Sequence, residues 1–325
     1  MNQLPERDLP PGRHRLLKEH LMTQIRREDR EDQASLRVNT KWLRSTIATA
    51  AVATAAAVTF VMLPTSSGGS GRQGAQAGST ATGGSGAQAG NTPMALLENI
   101  ALAAEHQEPL KARDDQFVYI ESKVSYASVS EAEKTMKLDP LHRRETWQSV
   151  DGQSGGLVQE GRRQLATDPD ARPGTPGAET AVNLRNLSTL PSDPDRMYDW
   201  LRRTAPKYTG KKAEQGMFVL VGDLIREALV PPAQSAALYR AAARIPGVTV
   251  VKDAVDAAGR HGLAIARVDS ESLTRDEWIF DKKTHEFLGE RSVAGADNEV
   301  AKKGQVIGNA AVLRRAVVDK VGRRP

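Results

Sequence analysis

Two glycine-bracketed patterns and six histidines are the residues of this 325-residue chain whose types and spacing could do chemistry. Gly152-Gln153-Ser154-Gly155-Gly156 has the form G-x-S-x-G, which in a nucleophile elbow exposes a serine between a strand and a helix. Here Thr146 to Val150 reads as a strand and Leu157 to Glu160 as another, so Asp151 to Gly156 is expected to be a hairpin turn. Gly69 to Gly74 matches G-x-G-x-x-G, but it has no strand before it and no helix after it, so it reads as composition and not as a phosphate cradle. His14, His20, His106, His142, His261 and His285 show no metal-ligand spacing, and H-E-x-x-H is absent. Cysteine is absent too, which removes thiolate nucleophiles, disulfides and cysteine-held zinc or iron–sulfur sites. The sequence assigns no catalytic, cofactor-binding or metal-ligating residue. The expected protein is non-enzymatic and works with no cofactor.

The more informative spacing is apolar. Leu17, Leu21 and Ile25 lie at i, i+4 and i+8 in a helix read from Arg13 to Arg30, with Leu16 and His20 beside them. The other side is charged. A helix of about eighteen residues with one narrow apolar stripe is marginal alone in water. It gains most from a partner's groove or from a lipid surface. Three readings stay open for this arm: a solvated segment, a docking helix for a cytoplasmic protein, and a lipid contact. Leu17, Leu21 and Ile25 are the candidate partner-binding residues.

The next segment of the chain places the arm. Ser45 to Leu63 is a run of nineteen residues without a charge. As a helix it spans about 28 Å, close to the hydrocarbon thickness of a bilayer. Lys41, Trp42 and Arg44 form its basic and aromatic flank, while the far side carries only Arg72 before the next element. Positive flanks stay inside, so residues 1–44 are expected in the cytoplasm and the C-terminal part outside the cell membrane, with a single pass. Residues 64–93 are rich in Gly, Ser, Ala, Thr and Gln and read as a flexible tether with a reach of roughly 30 Å. Such a tether cannot carry a rigid-body signal; clustering or cleavage can.

Charge excludes one class of partner. The chain carries a net +5, yet residues 94–325 hold 34 basic and 33 acidic residues. A nucleic-acid protein concentrates basic residues on its folded part, so direct nucleic-acid binding is not expected.

Residues 94–325 read as a folded domain outside the membrane. Thr92-Pro93 and Asp193-Pro194 are cap-plus-proline helix starts. Leu96, Leu97, Ile100 and Ala104 recur at helical spacing, as do Met197, Trp200 and Leu201, and then Met217, Val221, Leu224, Ile225 and Ala228. A further helix is read from Ser235 to Ile245, after Pro231-Pro232 has ended the one before. Strands are expected at Phe117–Val124, through Trp147, after Gly156, at Gly247–Val251, in hairpins around Gly259 and Asp281–Thr284, and at Leu313–Val321. The proline-rich stretch 167–194 reads as a long loop. Tight turns imply antiparallel pairing, and helices grouped in the middle imply an α+β fold. The expectation is an antiparallel, half-barrel-like sheet packed on helices.

Two sets of motifs carry a resemblance. Leu9-Pro-Pro-Gly-Arg13 with Leu17-Lys-Glu-His-Leu-Met22 opens the chain. Leu190-Pro-Ser-Asp-Pro194, Leu229-Val-Pro-Pro-Ala233, Ile245-Pro-Gly-Val-Thr-Val250, Glu277-Trp-Ile-Phe-Asp281 and Phe287-Leu-Gly-Glu290 belong to the outer part. Together they resemble an actinobacterial family of single-pass membrane proteins often encoded near extracytoplasmic-function sigma factors. The resemblance implies a membrane-tethered regulator with a sigma factor as cytoplasmic partner and an envelope ligand or partner outside. It also implies a fold like that of sigma-regulator sensor domains and lipoprotein carriers. An anchored envelope module for a lipid or other hydrophobe is the alternative, and an enzyme the second. The arm departs from zinc-binding anti-sigma domains, because His14 and His20 have no cysteine to complete a site.

Overall fold

The computed structural model describes residues 92–130, 135–170, 181–209, 211, 213–298 and 301–325, together with the elements they form. The arm, the uncharged run, its flank and residues 64–91 of the expected tether lie outside the described residues, while Thr92 and Pro93, its expected last residues, are the cap and first position of a helix. Among the described residues no helix is long and apolar enough to cross a membrane.

Side-chain caps start three of the helices. Thr92 Oγ1 accepts from Ala95 N at 3.2 Å and Pro93 takes the first position of α1 (Pro93–Glu105), where a missing N–H costs nothing. Asn183 Oδ1 accepts from Asn186 N at 2.8 Å and caps α2 (Leu184–Ser188). Asp193 Oδ1 accepts from Arg196 N at 2.9 Å and caps α3 (Pro194–Thr209). Helix α4 spans Ala213–Glu227 and α5 spans Pro232–Ala242.

The strands are β1 (Phe117–Ser130), β2 (Thr135–Leu138), β3 (His142–Ser149), β4 (Gly156–Glu160), β5 (Arg163–Thr167), β6 (Val248–Val255), β7 (His261–Asp269), β8 (Thr274–Phe280), β9 (Phe287–Ala294) and β10 (Val306–Val318). They form one sheet in the order β5-β4-β3-β1-β10-β9-β8-β7-β6, with β2 added on β1. Every pairing is antiparallel. Two meanders, β1–β5 and β6–β10, are therefore joined where β10 lies against β1. The register runs from Phe117↔Val318 to Tyr126↔Gly308, with a bulge at Glu121/Ser122 that leaves Leu313 as the extra residue.

The antiparallel α+β expectation is met. Several boundaries differ. β1 runs on to Ser130, and β10 begins at Val306, seven residues before the expected start. Gly308, Asn309, Ala310 and Ala311 are weak strand formers, and only pairing on both sides with β1 and β9 makes them strand. Ala254 and Val255 continue β6 past a bulge and pair with Gly262 and His261, so the expected separate strand is the end of β6. Helix α4 ends at Glu227, and α5 starts at Pro232 instead of Ser235 and stops at Ala242, because proline fits a first turn. Helix α2 lies within the expected 167–194 loop.

The main core lies between the helices and β6–β9. Leu97 and Ile100 of α1, Met197 and Leu201 of α3, Phe218, Val221 and Leu224 of α4 and Leu238 of α5 meet Ile265, Trp278 and Phe280 of the sheet. Phe218 stacks on Trp278 with centroids 3.9 Å apart and planes 11° from parallel. Tyr239 and Phe287 meet Phe280 edge-on at 5.7 Å each. Gly222 makes the stack fit, since a Cβ there would lie 2.7 Å from Trp278 Nε1. Gly222→Ala is expected to cost about 1–3 kcal/mol, the usual cost of overpacking, and to shift the tryptophan near-ultraviolet signal. Urea unfolding of the variant beside wild type measures it.

Candidate functional site

The motif residues are placed first. Ser154 is exposed in the β3–β4 connection, where Asp151 Oδ1 accepts from Ser149 Oγ at 2.8 Å and from Gln153 N at 2.9 Å. A strand and not a helix comes after it, as the hairpin reading expects. His106 bonds Leu102 O, His142 bonds Glu160 and His261 bonds Asp253, each in a different part of the fold. Among the described residues no three His, Asp or Glu side chains are grouped to hold a metal. Leu17, Leu21, Ile25, Lys41, Trp42 and Arg44 lie outside the described residues.

The chemistry that the fold does assemble is a chain of buried and half-buried charges where the end of α4 meets the sheet. Alternation along β3 puts Arg144 on the helix side and Glu145 on the other. On α4, Asp223 lies one turn before Arg226 and Glu227 at the end of the helix, beyond the apolar run Met217–Val221. Glu160 of β4 receives His142 Nε2 at 2.9 Å and Arg144 Nε at 3.4 Å. Arg144 Nη1 donates to Glu227 at 2.7 Å. Glu227 also accepts from Arg226 Nε at 2.9 Å, and Arg226 reaches Asp223 at 3.1 Å and Glu290 of β9. Arg315 of β10 adds a bond to the Ile225 carbonyl. Four strands are thus tied to the C-terminal end of one helix.

Burial makes these bonds consequential. The Arg226 side chain is 6% exposed, Asp223 8% and Glu290 13%. Burial works against the Arg144 charge, yet Glu227, Tyr126 and Glu160 outweigh it and hold the guanidinium above its ordinary range. Burial pushes the Tyr126 phenol up. The hydrogen bond to Glu160 raises the His142 imidazole against its partial burial. Each carboxylate of the chain already accepts from a guanidinium or imidazole. The arrangement ties the helix to the sheet and acts as a lock between layers.

A second polar line runs along α4 towards its start. Gln215 Nε2 donates to Asp276 at 3.2 Å, Ser292 Oγ donates to the same carboxylate at 2.6 Å, and Arg267 bonds Gln215. Sequence reasoning paired none of these residues. The one local signal was Asp223 and Arg226 at i and i+3 beside core positions; the strand partners became neighbours only through register.

No family model and no curated protein matches this chain. Among solved structures, MucB in complex with MucA(peri) is 12% identical with a TM-score of 0.21, over 71% of this chain and 56% of that one. MucB alone is 11% identical with a TM-score of 0.22, over 71% and 58%. The matched part is thus less than two thirds of MucB's length. Likeness at this level carries no argument about what the chain does, and the resemblance to the actinobacterial family rests on sequence motifs alone.

Two outcomes test the lock. Removing one partner of a buried pair strands the others, so Arg226→Met is expected to lose about 3–5 kcal/mol in urea unfolding. Lys302→Met, which removes the exposed pair with Asp297, should stay within about 1 kcal/mol. His142 has its folded pKa raised, so its stabilisation is full below the unfolded value of about 6.5 and fades as pH rises through the folded value. The stability gap between wild type and His142→Gln should therefore be wider at pH 5.5 than at pH 8.5.

Proposed function

We propose that this chain is a membrane-tethered, non-enzymatic regulatory or sensor-type protein. Its arm engages a cytoplasmic protein, and its α+β body meets an envelope ligand or partner outside. The observation that carries the reading is an order along one chain. A basic segment with Leu17, Leu21 and Ile25 at helical spacing comes first in the sequence, then nineteen uncharged residues, then a stretch rich in Gly, Ser, Ala, Thr and Gln, and only then the folded body with its Thr92 cap. A sigma factor is the inner partner that the family resemblance implies. The body's near neutrality argues against nucleic acid as its direct partner.

The buried lock supports a sensor more than a catalyst. It holds helix and sheet layers together through groups whose pairing a ligand or a proton can bias. A module that carries a hydrophobe needs apolar space beside the helix-facing side of the sheet. In this structure the stack of Phe218 on Trp278 fills that side where α4 meets β8.

The test uses the full chain in its membrane. Affinity capture from solubilised membranes is expected to recover a cytoplasmic protein with wild type and to lose at least nine tenths of it with Leu17, Leu21 and Ile25 all changed to Asp. Recovery of the same proteins by both chains removes the arm as a partner site. A reporter fused after Pro325 should be active only outside the cytoplasmic membrane.

A further inference from the structure

Arg144 and Arg226, the guanidinium groups of the lock, each hold two or more carboxylates. Arg315 of β10 holds none among the described residues. It pairs with Ile120 of β1, on the side of the sheet that faces the helices. One of its N–H groups goes to the Ile225 carbonyl, among the last four of α4. Its Cζ lies over the Phe287 ring, 5.8 Å from the centroid. The side chain is half-buried, and its remaining N–H groups meet no acceptor among the described residues, yet they are not sealed from solvent. Burial pulls the guanidinium below its ordinary range.

A second donor without a partner is close by. Tyr239 of α5 is 6% exposed, and its hydroxyl makes no hydrogen bond among the described residues. Burial pushes this phenol up to about 12 while the charge of Arg315 pulls it down, so the two groups lie within electrostatic reach. Aromatic rings connect them: Tyr239 meets Phe280 edge-on, Phe280 meets Phe287, and Phe287 carries Arg315 on its face. The walls here are apolar. Phe287 packs against both the main core and the smaller cluster around Ile120, and Leu229 of the α4–α5 connection packs against the smaller one; both are half-buried.

We infer that this seam between α4, α5 and the sheet binds a small organic anion, a carboxylate carried on an aryl or alkyl body. The carboxylate takes the spare N–H groups of Arg315 and the Tyr239 hydroxyl, and the body lies against Phe287 and Leu229. Charge complementarity names the occupant. A guanidinium without a counter-ion beside a phenol donor suits a group that only accepts and is negative. A bare inorganic anion leaves the apolar walls uncovered, and a neutral hydrophobe leaves the charge uncompensated. The inference deepens the regulatory reading, and rests on it for the ligand's role, by giving the envelope ligand a chemical class.

The experiment is a calorimetric titration of the full chain in lipid nanodiscs with phenylbutyrate, corrected for empty discs. Saturable binding at a single site is expected. Phenylbutyramide has the same body without the charge and should bind about tenfold more weakly, since hydrogen bonds to a charged group are at stake. Arg315→Met keeps an unbranched apolar stem and should weaken phenylbutyrate by about tenfold or more. Tyr239→Phe keeps the ring against Phe280 and should weaken it by about fivefold, the worth of one neutral donor. Equal affinity for acid and amide overturns the proposal, and so does wild-type affinity in both variants. If Arg315→Met does not fold, Tyr239→Phe and the amide decide. Inorganic phosphate that displaces the probe at equal concentration overturns the apolar walls. Arm capture is read separately: its loss with the titration intact counts against the regulatory reading alone, and a failed titration with capture intact counts against this site alone.

Discussion

Ten residue pairs between β1 and β10, from Phe117↔Val318 to Tyr126↔Gly308, join two meanders that no other ladder of the described sheet connects. Each meander is built from local hairpins, which close cheaply. The β1–β10 pairing brings together the first and last strands of the folded body and must form across helices α2–α5. Its register decides which face of β1 sees the helices. Val118 and Ile120 turn to the α2 side with Val312, while Phe117 and Tyr119 turn to Trp147 on the other side. A slip of one residue would exchange the two sets and leave both faces mismatched. The bulge that frees Leu313 fixes where that alternation resets.

The charge chain on α4 lies over this junction. Its members come from β3, β4, β9 and the helix, on either side of the β1–β10 pair. Burying so many charges stabilises little in net terms, because desolvation offsets the attraction. What it gives is selectivity of arrangement: Arg226 is satisfied only when Asp223, Glu227 and Glu290 all stand around it. The aromatic stack of Phe218 on Trp278 supplies the apolar share of the same helix–sheet contact. Position is thus set by charge and cohesion by apolar area.

Local rules made much of the fold legible. Thr92 and Asp193 start their helices where capping chemistry says they must, and Asp281 turns the β8–β9 hairpin by accepting from Lys283 N and Thr284 N. The apolar stripes of α1, α3 and α4 are the core, because a 3.6-residue period survives in any context. The antiparallel α+β character of the body can thus be read from the order of residues, since its caps, stripes and hairpin turns each depend on neighbours along the chain. Folding in three dimensions was needed to make Gly308 to Ala311 strand, to bring Arg144 to Glu227, and to reserve Glu145 for Arg324. Those partners stand far apart in sequence. Nothing in a residue's own neighbourhood encodes a pairing that strand register alone creates.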